Sequence, residues 1–135
     1  MRLLHFRRTF VEKLFAIHGK VELLKRDGKP IGSYARHYYD LYQLARTPDV
    51  PAMLATPEYD EIKADYDHIS RIHFSRDYFA PKDFRFANSD ALFPYDKLQI
   101  TLGQEYEVQC KLLCFGATPS WKSVLMEFRS LKPLL

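Results

Sequence analysis

A chain of 135 residues, 47% hydrophobic and 15% aromatic, fits one domain and can bury a core without disulfide or metal staples. No apolar run approaches the roughly 20 residues that cross a bilayer, and the opening Met-Arg-Leu-Leu-His-Phe-Arg-Arg lacks the apolar stretch of a secretory signal. The net charge of +3 hides an asymmetry, since residues 1–50 carry ten Lys/Arg against five Asp/Glu and residues 51–100 carry six against nine. The basic end could face nucleic acid or a nucleotide phosphate, although so small a surplus is more often a solvated face.

In chain order, Thr9-Phe10-Val11-Glu12 has the form of a capping box and predicts a helix start. Phe10, Leu14, Ile17, Val21 and Leu24 follow at helical spacing as one apolar stripe, and Asp27-Gly28-Lys29-Pro30 closes the helix with a turn. Ser33 can cap a second helix over residues 34 to about 46, with Tyr38, Leu41 and Ala45 on one side and Arg36, Asp40 and Gln43 on another. Pro48 and Pro51 interrupt the pattern, and Asp49 caps a short helix through Leu54. Thr56-Pro57 restarts it, as a cap followed by Pro at the first helical position, and the stripe Tyr59, Ile62, Tyr66, Ile69 and His73 runs to about residue 74.

Residues 76–94 are aromatic, proline-bearing and aperiodic, and read as a long loop with no strand. A long helix over about 95–113 presents Leu98, Leu102, Tyr106, Gln109 and Leu113, and Gly116 stops it. Thr118-Pro119 opens the last helix, with the stripe Trp121, Leu125, Phe128 and Leu131. The expectation is an all-α fold: one helical domain over residues 1–135, an irregular bundle of about five helices with one long aromatic loop. Cys110 and Cys114, four apart in a helical segment, suit neither a relaxed disulfide nor a metal site without further ligands. They read as two reduced thiols of a cytoplasmic protein.

Few side chains invite chemistry. Lys13 lies near Arg7 and Arg8 and could hold a triphosphate as a point charge, although its spacing alone is that of a surface lysine. Arg36 and Asp40, four apart on one helix, are placed to meet. They form either a plain intrahelical ion pair or an Asp held in a polar cleft as a base or nucleotide contact. Gly32-Ser33 and Asp65-Tyr66-Asp67 imitate a nucleotide-binding turn and an Asp-x-Asp metal site. The two aspartates fall inside a helical pattern, where residues two apart diverge by roughly 200° and cannot chelate one ion. The histidines His5, His18, His37, His68 and His73 show no ligand spacing, and neither a P-loop nor a Rossmann or Gly-x-Ser-x-Gly motif occurs. The residues read this way give no metal ligand.

Two blocks carry a resemblance: Arg8-Thr9-Phe10-Val11-Glu12-Lys13-Leu14-Phe15-Ala16-Ile17-His18, and Ser33-Tyr34-Ala35-Arg36-His37-Tyr38-Tyr39-Asp40-Leu41. They resemble the AbiEii-type nucleotidyltransferases, toxin partners in bacterial abortive-infection toxin–antitoxin pairs with a fold related to polymerase β. Val11 stands where the family has Trp, and Ala35 where Ser is usual. Gly103-Gln104-Glu105-Tyr106 through Phe115, then Pro119-Ser120-Trp121, looks like the family's ending, with Gln104 and Glu105 departing from its usual Ala-Asp. The likeness is loose across residues 76–100.

The resemblance implies that Lys13 contacts the nucleotide and that Asp40, with the nucleotide-binding Arg36 beside it, serves as catalytic base or nucleotide contact. It also implies that a mixed α/β lobe, carrying the Gly-Ser turn and the metal-binding Asp pair, precedes these blocks in an intact enzyme. The chain is therefore expected to be the C-terminal helical part of such a toxin. It is expected to bind no cofactor alone, Mg²⁺ and nucleoside triphosphate belonging to an intact family enzyme, and to lack transferase activity by itself. The expected partners are a complementing N-terminal lobe or an antitoxin. The alternative is a non-catalytic interaction module that forms a homo-oligomer through bare apolar surface; direct RNA binding by the basic first helix is a third option, and no membrane partner is expected.

Overall fold

Phe10, Leu14, Ile17 and Val21 are fully buried along one side of α1 (Arg2–Asp27) in the computed structural model, which describes residues 2–73, 85–113 and 119–135. The helix starts well before the capping box at Thr9. No helix breaker occurs in residues 2–8, so the helix continues through them, and Glu12 instead lies 3.8 Å from Arg8 one turn back. Gly28, at φ +71°, ends the helix and donates its N–H to Leu24 O at 2.9 Å, which satisfies a carbonyl the last turn leaves open.

The second predicted helix is split. A 3-10 turn, Gly32–Ala35, precedes α2 (Arg36–Ala45), and no side-chain cap bond is made at either start. Gly32 takes a left-handed φ of +56° and donates its N–H to Glu105 Oε1 at 3.1 Å. A contact distant in sequence thus replaces the local Ser33 cap. Next come α3 (Asp49–Leu54), with Pro48 rather than Asp49 at its cap position, and α4 (Pro57–His73). A 3-10 turn, Phe86–Asn88, is followed by α5 (Asp96–Leu113), α6 (Trp121–Leu131) and a final 3-10 turn, Lys132–Leu134. Ser120 Oγ accepts the Ser123 N–H at 3.1 Å and caps α6 two residues beyond the predicted Thr118. Thr118, like Cys114, Phe115 and Gly116, lies outside the described residues, as does the 76–84 part of the predicted loop. Among the described residues there are six α-helices and no strand, an all-α bundle.

The stripes meet in one core. Tyr38, Leu41 and Ala45 of α2, Leu102 and Tyr106 of α5, and Val124, Phe128 and Leu131 of α6 are buried in one cluster with the α1 stripe. Each large apolar side chain so buried contributes about 1.5–3 kcal/mol. The described part of the aromatic loop belongs to this core, because Phe86, Ala91 and Leu92 are fully buried. Tyr38 Oη donates to Ala91 O at 2.6 Å, and buried His18 Nδ1 lies 2.8 Å from Ser89 Oγ. These bonds fasten the segment to α2 and α1. Cys110 is a free, half-buried thiol.

Candidate functional site

Lys13 and Asp40 meet across the groove between α1 and α2. Lys13 lies on the flank of the α1 apolar stripe, and Asp40 lies beside the buried Tyr38–Leu41–Ala45 side of α2. Packing those two stripes together therefore brings the flanks face to face. Lys13 Nζ donates to Asp40 Oδ2 at 3.1 Å, with the two side chains 25% and 32% exposed. The contact is half-buried, so water screens it less than a surface pair.

His37 completes the cluster. Its Nδ1 lies 3.5 Å from Lys13 Nζ and 4.0 Å from Asp40 Oδ2. The Tyr34 ring stands edge-on to His37 with centroids 5.4 Å apart, and Lys20 Nζ sits 4.3 Å over the Tyr34 ring. Lys20, Tyr34, His37, Lys13 and Asp40 form a continuous row. His37, then burial acting in opposition, then Lys13 by hydrogen bond and charge, and finally the charge of Arg36 leave the Asp40 carboxyl below its ordinary range. The 4.0 Å separation of His37 from Oδ2 exceeds a hydrogen bond, so Lys13 is the direct donor to Oδ2.

Arg36 does not meet Asp40 as their spacing leads one to expect. It is exposed at the first position of α2, and among the described residues no ion pair joins the two. The cross-helix Lys13 takes that place, and Arg36 acts on Asp40 only through its charge. Arg7 and Arg8 turn away from Lys13 toward α4: Arg7 pairs with Glu58 at 3.1 Å and Arg8 with Asp65 at 2.8 Å. Periodicity therefore brings Lys13 and Asp40 together but not the arginines around Lys13. His37 was the missed member; its signal was the three-residue spacing to Asp40, which puts both on one helix face.

Among the described residues, the Asp65–Asp67 pair does not fit a magnesium pair. Asp65 and Asp67 both lie in α4, where Asp65 is engaged by Arg8 and Asp67 by Arg71 at 3.0 Å. Among the described residues no three His, Cys, Asp or Glu side chains group as a metal cage. No helix of the described residues is long and apolar enough to cross a membrane. What the row can do is offer cations and one ionised carboxylate, beside an aromatic ring, to a polyanion.

Comparison with known proteins adds one match. The family model described as nucleotidyl transferase AbiEii toxin, type IV TA system, matches residues 1–122. No curated protein and no solved structure matches the chain.

Proposed function

Because this chain belongs to the AbiEii family of nucleotidyl transferase toxins from type IV toxin–antitoxin systems, we propose that its helices supply the phosphate-side contacts of a nucleotidyl-transfer site. The carrying observation is the Lys13–Asp40 contact at 3.1 Å, made between the two blocks that resemble the family's motifs. In this reading Lys13 holds a phosphate of the nucleotide as a point charge, and Arg36 adds a second cation from the start of α2. Asp40 orients Lys13 and contacts the nucleotide. A carboxyl held below its ordinary range is a weak base, which favours this contact over proton abstraction.

None of the roles given to these side chains passes through magnesium. We assign the metal carboxylates of the reaction to a complementing lobe outside the described residues, and we assign cytoplasmic, bacterial and antitoxin-controlled action to the protein on its family membership. The test is incubation of the purified chain with radiolabelled nucleoside triphosphates, Mg²⁺, and RNA or protein acceptors. Triphosphate binding without transfer is the expected result; transfer by this chain alone would overturn the reading.

A second reading rests on α5. Ile100, Val108 and Leu112 are 62%, 53% and 70% exposed and lie in one four-residue register. Such a ridge suits a non-catalytic module that pairs with a second copy or an antitoxin. Dilution during light scattering separates the readings: a persistent dimer lost in Val108→Glu favours the module, and a monomer at all concentrations opposes it.

A further inference from the structure

Gly32 heads the turn that carries Tyr34 into the Lys13–Asp40 row, and its N–H is held from outside that turn. Ile31 and Ala35 are buried and fix the two ends of the segment, while Gly32, Ser33 and Tyr34 between them are exposed. Gly32 takes a left-handed φ of +56°, and a Cβ built on it would meet no atom within 4 Å, so glycine serves the backbone conformation and not a close approach. Glycine is also the residue with the most backbone freedom. No side-chain cap bond is made at the turn or at the start of α2. The outside restraint comes from α5, where Glu105 Oε1 accepts the Gly32 N–H at 3.1 Å. Glu105 is firmly based, because Leu102 and Tyr106 on its own helix are buried in the core and Gly103 packs against Trp121. Its other oxygen, Oε2, is buried and meets no donor among the described residues, an arrangement that costs stability. That cost makes local stability a poor account of a carboxylate at this place.

We propose that Glu105 is a positioning residue of the site: by holding the Gly32 N–H it fixes where Tyr34 and His37 stand beside Lys13 and Asp40. The chain of contacts is continuous. The Tyr34 N–H donates back to Ile31 O at 3.1 Å, its ring stands edge-on to His37 with centroids 5.4 Å apart, and His37 Nδ1 lies 3.5 Å from Lys13 Nζ. Freed from Glu105, the glycine regains conformations that swing Tyr34 away, and His37 loses the ring beside it. Glu105 reaches α2 by charge as well: burial first and then Glu105 push the Tyr38 hydroxyl well above its ordinary range. Charge and hydrogen bond act on Asp40 with opposite signs, which separates them. Removing a negative charge alone makes the Asp40 carboxylate easier to form and lowers its midpoint. Displacing His37, the largest cause of the lowered Asp40 carboxyl, raises it.

The test follows the Asp40 carboxyl by carbon-detected NMR in the full chain and in its Glu105→Ala and Glu105→Gln variants. Alanine removes both acceptor and charge, and as a strong helix former it keeps α5 intact. Glutamine removes the charge but keeps a carbonyl oxygen to accept the Gly32 N–H. The expected result is a midpoint that rises in Glu105→Ala and does not rise in Glu105→Gln, with faster Gly32 amide exchange in the alanine variant alone. A midpoint in Glu105→Ala that falls or stays, or one that rises equally in Glu105→Gln, overturns the proposal. A second arm rests on the phosphate reading of Lys13: Glu105→Ala is expected to weaken nucleoside triphosphate binding about threefold or more, and Glu105→Gln not to weaken it. Lys13→Ala keeps the two claims apart. If it leaves the affinity unchanged, the phosphate reading falls and the carboxyl titration alone decides the role of Glu105. If it weakens binding while Glu105→Ala does not, the role of Glu105 falls and the phosphate reading stands.

Discussion

Lys13 of α1 holds Asp40 of α2 at 3.1 Å, while Arg36, one turn ahead of Asp40 on its own helix, makes no ion pair with it. The pairing chosen by tertiary packing replaces the one suggested by local spacing, and it links the two segments that carry the family resemblance.

Its pH dependence has a definite sign. The carboxyl of Asp40 is lowered in the folded chain, chiefly by His37 against the opposing effect of burial, with Lys13 and Arg36 adding to the lowering. A lowered carboxyl contributes stability that is fully present above the unfolded value of about 3.9 and is lost as pH falls through the folded value. A pair this exposed is worth about 1 kcal/mol or less. Carbon-detected NMR titration of the Asp40 carboxyl is expected to show a midpoint that rises in Lys13→Ala and in His37→Ala. Identical midpoints in all three proteins would remove His37 and Lys13 as its causes.

Gly103 makes the α5–α6 contact possible. A Cβ at this position would lie 2.8 Å from Trp121 Cδ1. The indole is hemmed in by Tyr38 at 4.8 Å and Tyr106 at 5.5 Å between ring centroids. Alanine raises helix propensity by about 1 kcal/mol, but overpacking costs roughly 1–3 kcal/mol. With the indole so confined, the clash is expected to win. Gly103→Ala should lower the urea midpoint, and an unchanged or higher midpoint would mean that the indole relocates freely.

Tyr38 ties α2 to the described part of the aromatic loop through its fully buried hydroxyl, which donates to Ala91 O at 2.6 Å. Tyr38→Phe keeps the ring and leaves that carbonyl without its donor, at a cost of about 1–2 kcal/mol. Hydrogen exchange is expected to rise first over residues 89–93. Global destabilisation without that local signature would place the bond's role elsewhere.

The helical stripes were legible because 3.6-residue periodicity depends only on local spacing: Phe10, Leu14, Ile17 and Val21 are buried as their positions demand. Starts and turns were less legible. Thr9 looks like a cap but lies inside α1, and the Gly32–Ala35 turn depends on Glu105, 73 residues away. Phe86, Ala91 and Leu92 lack periodicity, so their burial could not be read without the surfaces they fill. In the site, Lys13 and Asp40 were both singled out by sequence, but their contact was not, because residues 27 apart meet only when two helices pack.

The most direct test of the central claim, that Lys13 supplies a phosphate contact, is calorimetric titration of the chain and of Lys13→Ala with nucleoside triphosphate. The predicted result is saturable binding to the unaltered chain, weakened at least about tenfold by Lys13→Ala at unchanged far-ultraviolet circular dichroism. Equal affinities, or no saturable binding to either protein, would contradict it.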